Sequence, residues 1–142
     1  MRICLLQIRE EKKELEFERQ AFLRSLPVGA DELISVDFLA HGFEGDIMSF
    51  DALVLGGSHY GVAKNYIKSI VPKLDGLVRI INTALRAEIP VLGICFGHQL
   101  LAYVCGGSVI RDDKKEEYGT HLMELMAEAK DDALLDEPFA TD

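Results

Sequence analysis

The stretch from Ile89 to Cys105 constrains the fold more than any other part of the chain. Its first half, Ile89-Pro-Val-Leu-Gly-Ile94, is a short apolar run, and its second half repeats apolar residues at helical spacing through Leu100, Leu101 and Val104. This pattern predicts a strand that turns straight into a helix at Cys95. The frame around the turn, Gly93-Ile94-Cys95-Phe96-Gly97, has the spacing of a nucleophile elbow, with a glycine two positions before and two after the central residue. A side chain held in so sharp a strand-to-helix turn crowds those two neighbours, and the missing Cβ atoms relieve the crowding. The thiol is then expected to stand exposed above the sheet edge. The Phe96 N–H and the positive end of the following helix face the same small volume, and both favour a thiolate and an oxyanion. The plain alternative is a small buried cysteine in a glycine-punctuated turn, since free cysteine is among the most buried residue types.

With 142 residues the chain has room for one domain with a real core. Acidic residues outnumber basic ones by 24 to 15, for a formal charge of -9, and no block of lysine or arginine stands out. Nucleic-acid binding is disfavoured, because nothing is offered to neutralise phosphates. Cys4, Cys95 and Cys105 form neither a C-x-x-C pair nor a zinc-ligand spacing, so no metal site is expected. An odd count spread over apolar segments fits reduced thiols in a cytoplasmic protein. The N-terminal run Ile3 to Ile8 is interrupted by Gln7 and is too short for a signal peptide or a membrane span.

That run reads as a first strand, covered on both faces in a parallel sheet. Glu10 to Leu26 carries Leu15, Phe17, Phe22, Leu23 and Leu26 among many charges and reads as an amphipathic helix, its charged residues a solvated face. Leu33 to Phe38 is a second strand, Ala40 to Asp46 a loop, and Asp51 to Leu55 a third strand that runs into Gly56-Gly57-Ser58-His59-Tyr60-Gly61. Pro72 to Glu88 has helical spacing, and Gly106-Gly107 closes the helix that follows Cys95. Ser108 to Ile110 and Thr120 to Met126 are expected as further strands, with Arg111 to Glu117 a charged turn between them.

The residues beyond the elbow decide between its two readings. Gly93-Ile-Cys-Phe-Gly-His-Gln-Leu-Leu-Ala102 resembles the nucleophile signature of the class I glutamine amidotransferases. Within that family the chain looks most like the glutaminase portion of GMP synthases or a free-standing homologue of it. The resemblance runs the length of the chain, with high specificity only in residues 93–102. It implies a flavodoxin-like α/β fold, an open, mostly parallel sheet with helices on both faces. It also implies Cys95 as the nucleophile, Phe96 and Gly57 as oxyanion-hole amides, and Gln99 as a contact to the substrate. Gly57 is the position that matches a Gly-Gly-Pro loop of the family, although Ser58 stands where proline is usual. Glu117-Tyr118-Gly119 resembles the family's E-[FY]-G motif.

The implied reaction is hydrolysis of the glutamine side-chain amide, without a cofactor, to supply ammonia to a synthetase domain or subunit. It needs a histidine oriented by an acid, and the family carries them well downstream as His-x-Glu. Here only His121 follows the elbow helix, and it reads His121-Leu-Met-Glu124, with two intervening residues. It is expected to be an ordinary strand histidine, the chain to be incomplete at its C-terminus, and the chain as written to be nearly inactive. Two other readings stay open: a catalytically dead regulatory or binding remnant, and a cysteine hydrolase of the intracellular protease and deglycase superfamily. In the last, an acidic residue after the first strand lowers the thiol pKa, and Glu10 could be cast in that role, although Glu11 and Glu14 beside it read as plain helix-start charge.

Overall fold

The computed structural model describes residues 1–61 and 67–110, with 112, 119 and 122 singly, and only the backbone of 67–72. The chain divides into two units, Met1–Arg111 and Asp112–Asp142, and the architecture here is that of the first. Its strands are β1 (Ile3–Gln7), β2 (Leu33–Asp37), β3 (Ala52–Leu55) and β4 (Val91–Gly93). The main helices are α1 (Lys12–Ser25), α3 (Ile67–Arg86) and α4 (Phe96–Val104), and one turn of helix, α2 (Phe38–His41), follows β2.

The four strands are parallel in the order β2-β1-β3-β4. Every residue of β1 is buried, as a continuous apolar run between two neighbouring strands requires. Cys4 lies in register with Ile34 on one side and Leu53 on the other, and Leu55 pairs with Gly93. Because side chains alternate across a strand, successive residues of β1 serve different layers. Ile3 and Leu5 join Leu33 and Val54 on one face, covered by Phe22 and Leu23 of α1. Cys4, Leu6, Leu53 and Leu55 meet Leu77, Ile81 and Ala84 of α3 with Phe96 and Leu100 of α4 on the other. Helices therefore cover both faces, as expected. This strand order is that of the flavodoxin-like folds, in which ligands bind beyond the carboxyl ends of the strands where the order reverses.

Three expectations need correction. Helix α3 begins at Ile67, so Pro72 stands inside it and not at its start. Proline removes one backbone donor, but the buried stripe of Leu74, Leu77, Ile81 and Ala84 holds the rest of the helix to the sheet. Ser108 to Ile110 is not a strand: no described strand pairs with it, and Ile110 is exposed. The segment expected as loop from Ala40 is helical at its start, because the Asp37 carboxylate accepts from the Ala40 N–H and caps α2. The Glu117-Tyr118-Gly119 motif (Gly119 apart), the Thr120 to Met126 strand (Leu122 apart), His121 and Glu124 lie outside the described residues. Among the described residues no helix is long and apolar enough to cross a membrane.

Candidate active site

The elbow is built by close backbone approaches. The Ile94 N–H donates to the Leu55 carbonyl at 3.0 Å, and the Gly97 N–H donates to the carbonyls of Ile94 at 2.9 Å and Gly56 at 3.2 Å. These bonds pull the first turn of α4 onto the end of β3. A Cβ on Gly93 would stand 2.6 Å from the Gly97 carbonyl oxygen, and one on Gly97 would stand 2.2 Å from that of Leu55. Neither position admits a side chain, so the glycine spacing follows from packing. Between them Cys95 is forced to φ 54 and ψ -110, a conformation L-residues rarely adopt. Strain of this kind costs about 1–3 kcal/mol and persists where the surroundings over-determine it.

The strain sets the thiol outward. Cys95 is exposed while its neighbour Phe96 is buried. Among the described residues the Phe96 N–H has no acceptor, which fits an amide kept for a ligand. Cys95 lines a cavity of about 370 Å³ together with Gly57, Ile94, Phe17, Arg9 and Glu18. The structure thus brings Cys95, Phe96 and Gly57 together. Gln99 is half-buried and its N–H donates to the Cys95 carbonyl at 3.1 Å, but it is not part of the cavity wall.

A residue that the sequence reading places on a solvated face proves central. Glu18 of α1 is only 7% exposed. Its Oε1 accepts from the Gly57 N–H at 2.8 Å and from Arg9 Nη2 at 3.1 Å, while Oε2 accepts from Gln7 Nε2 at 3.2 Å. A buried carboxylate is tolerated when it is paired and its lone pairs are filled in this way. The sequence does carry a signal for it, since Leu15, Glu18 and Phe22 are spaced as one helical stripe and Glu18 is the charged member of it.

Glu10 lies elsewhere. Its carboxylate accepts from the Tyr60 hydroxyl, and that hydrogen bond, with some burial, raises the phenol pKa. Glu10 does not line the Cys95 cavity, so it does not occupy the position the deglycase reading requires. His41, His59 and His98 do not line it either, and His98 is exposed on the first turn of α4. Among the described residues no group of three or more His, Cys, Asp or Glu could hold a metal ion.

Comparison with known proteins adds the family. The family model for class-I glutamine amidotransferases matches residues 34–138, and that span includes both the elbow and the Gly56-Gly57 loop. The chain belongs to the class-I glutamine amidotransferases. A glutamine-hydrolysing GMP synthase subunit from Sulfurisphaera tokodaii is 37% identical over 73 residues, 51% of this chain and 34% of the relative. Its counterpart from Methanococcus maripaludis is 44% identical over 59 residues, covering 39% of this chain and 31% of the relative. Among solved structures, a glutamine amidotransferase from Thermotoga maritima superposes with a TM-score of 0.63 at 28% identity, over 83% of this chain and 48% of that one. The protein SMU.1228c does so with a TM-score of 0.70 at 25% identity, over 99% and 57%. The matched region spans about a third of the length of these curated relatives.

Proposed function

We propose that this chain carries the nucleophile half of a glutaminase site, which releases ammonia from the glutamine side chain for a synthetase domain or subunit. The observation that carries the reading is Cys95 itself: a strained, exposed thiol facing a cavity whose wall includes the Gly57 loop. In the proposed reaction the Cys95 sulfur attacks the carboxamide carbon of glutamine. The carbonyl oxygen becomes a tetrahedral oxyanion, received by the Phe96 and Gly57 N–H groups, and Gln99 contacts the substrate. The C–N bond then breaks, the nitrogen leaves with an added proton as ammonia, and a γ-glutamyl thioester remains. Water cleaves the thioester to glutamate and restores the thiol.

Proton delivery to the leaving nitrogen calls for a histidine, and none of the described residues lining the cavity is one. Removing a member of such a triad lowers the rate by three or more orders of magnitude, roughly 4 kcal/mol. Turnover by the chain as written is therefore expected to be very slow. Without such a group the acylation step, in which the nitrogen leaves, is the one slowed most, and the γ-glutamyl thioester forms only slowly. Because curated relatives belong to GMP synthases, the acceptor we favour is a nucleotide-synthesising partner, and residence in the cytoplasm suits three free cysteines.

The test is to incubate the chain with glutamine and hydroxylamine. The reading expects γ-glutamyl hydroxamate, formed slowly by the chain and not at all by Cys95→Ser. Equal hydroxamate from both proteins would remove Cys95 from the chemistry.

A further inference from the structure

The amide assigned above to an oxyanion is already bonded to a negative oxygen. Glu18 Oε1 lies 2.8 Å from the Gly57 nitrogen, although the two residues are 39 positions apart in sequence. To an N–H group, a carboxylate oxygen and a tetrahedral oxyanion present the same thing, one anionic acceptor at hydrogen-bond distance. The Gly57 amide has a single proton and cannot serve both. The other end of the same peptide unit is also fixed, since the Gly56 carbonyl accepts from the Gly97 N–H at 3.2 Å. The loop admits the carboxylate only because it has no side chains there. A Cβ on Gly56 would stand 2.7 Å from Glu18 Oε2, and one on Gly57 would stand 2.7 Å from Arg9 Nη2.

We propose that Glu18 is a gate on the candidate active site: an internal anion, held by Arg9, that occupies the Gly57 amide and has to withdraw before that amide can receive a negative oxygen. The proposal rests on the reading of Gly57 as an oxyanion donor. Arg9 makes withdrawal feasible. Its guanidinium donates to Glu18 Oε1, the oxygen that also accepts from Gly57, through Nε at 3.2 Å and Nη2 at 3.1 Å; being a quarter exposed, it can move with the carboxylate as it turns from Gly57, so the countercharge is kept. Competition by so close a charged acceptor lowers the apparent affinity of the amide for an external anion by about tenfold or more.

Acetate is the probe, read by ¹⁵N NMR on the full chain. A bare guanidinium would itself bind acetate, so Arg9 is changed together with Glu18: Glu18→Ala with Arg9→Met, and separately Glu18→Leu with Arg9→Met, which keeps the side-chain volumes near the native ones and leaves no acceptor for the Gly57 N–H. The gate predicts that the Gly57 N–H of the unaltered chain is protected from hydrogen exchange and that acetate leaves its resonance unmoved. In the paired variants protection should fall about tenfold or more, and acetate should shift the Gly57 and Phe96 amides at concentrations about tenfold lower. An unprotected Gly57 amide in the unaltered chain, or the same acetate response in all forms, would overturn the proposal. Acetate binding confined to the variants, without Cys95-dependent hydroxamate, would keep the gate and remove the glutaminase reading. Hydroxamate without any difference in acetate binding would do the reverse.

Discussion

Gly97 approaches Leu55 so closely that a methyl group on its Cα would stand 2.2 Å from the Leu55 carbonyl oxygen and 2.6 Å from the Leu55 Cβ. The atoms that would be struck first belong to backbone at the end of β3, a buried strand paired on both sides, so they cannot step aside. Gly97→Ala is expected to destabilise the fold by about 3 kcal/mol or to prevent folding. Gly45→Ala is the control, because the added Cβ would meet the Phe43 ring at 3.7 Å, an ordinary contact. Its effect should stay within about 0.5 kcal/mol. Urea unfolding midpoints compare the two, and equal midpoints would mean that α4 does not lean on β3 as described.

Cys95→Gly should move stability the other way. The native φ of 54 is strained for cysteine and unstrained for glycine. Relief of about 1–3 kcal/mol outweighs the extra chain entropy of glycine, close to 1 kcal/mol, so the variant should gain about 1 kcal/mol while losing all thiol chemistry. A shifted urea midpoint reads this directly. A loss of stability would show that the elbow is relaxed and that Cys95 is not held there at a cost.

The cysteines should separate by reactivity. Cys4 is fully buried in β1, and burial pushes its thiol up to about 12 from 9.0, whereas Cys95 and Cys105 are exposed. Iodoacetamide at pH 8 should modify Cys95 and Cys105 in the native chain and reach Cys4 only in denaturant. The same shift bears on stability. The folded thiol keeps its proton up to about 12, while the unfolded one releases it near 9.0, so above 9.0 the unfolded state binds fewer protons. Cys4 therefore contributes nothing pH-dependent below 9.0. Between there and about 12 it lowers stability by at most about 1.4 kcal/mol for each pH unit. Cys4→Ala should flatten that alkaline decline; an unchanged slope would mean that other groups cause it.

What can be read from the sequence follows the physics of each segment. β1 is legible because a strand covered on both faces is apolar at nearly every position, and Ile3 to Ile8 shows this with only Gln7 as an exception. That exception has its reason in the fold, since Gln7 faces α1 and donates to the Leu15 carbonyl at 2.7 Å and to Glu18. The elbow is legible because both its glycines sit at fixed spacing from Cys95, although only Gly93 is dictated by a contact within the turn, to Gly97 and His98, while Gly97 is dictated by Leu55 of β3. Glu18 is legible only in part: its helical spacing with Leu15 and Phe22 points inward, but its partners come from the ends of two strands, and a glutamate among Glu16, Arg19 and Lys13 looks like surface charge until those strands are placed. Phe17 misleads in the opposite direction: an apolar member of the helical pattern, it is 71% exposed and overhangs the Cys95 cavity. The start of α3 is hidden because proline so often marks the first turn of a helix, whereas Pro72 stands inside one.

The measurement that bears most directly on the central claim is covalent labelling by a glutamine-mimicking diazo-ketone, followed by mass spectrometry of the digested chain. Cys95 is expected to carry the adduct. Excess glutamine should protect it, Cys105 should remain free although it too is exposed, and Cys95→Ser should show no adduct. Labelling that ignores glutamine, or that falls equally on Cys105, would contradict the assignment of Cys95 as the nucleophile.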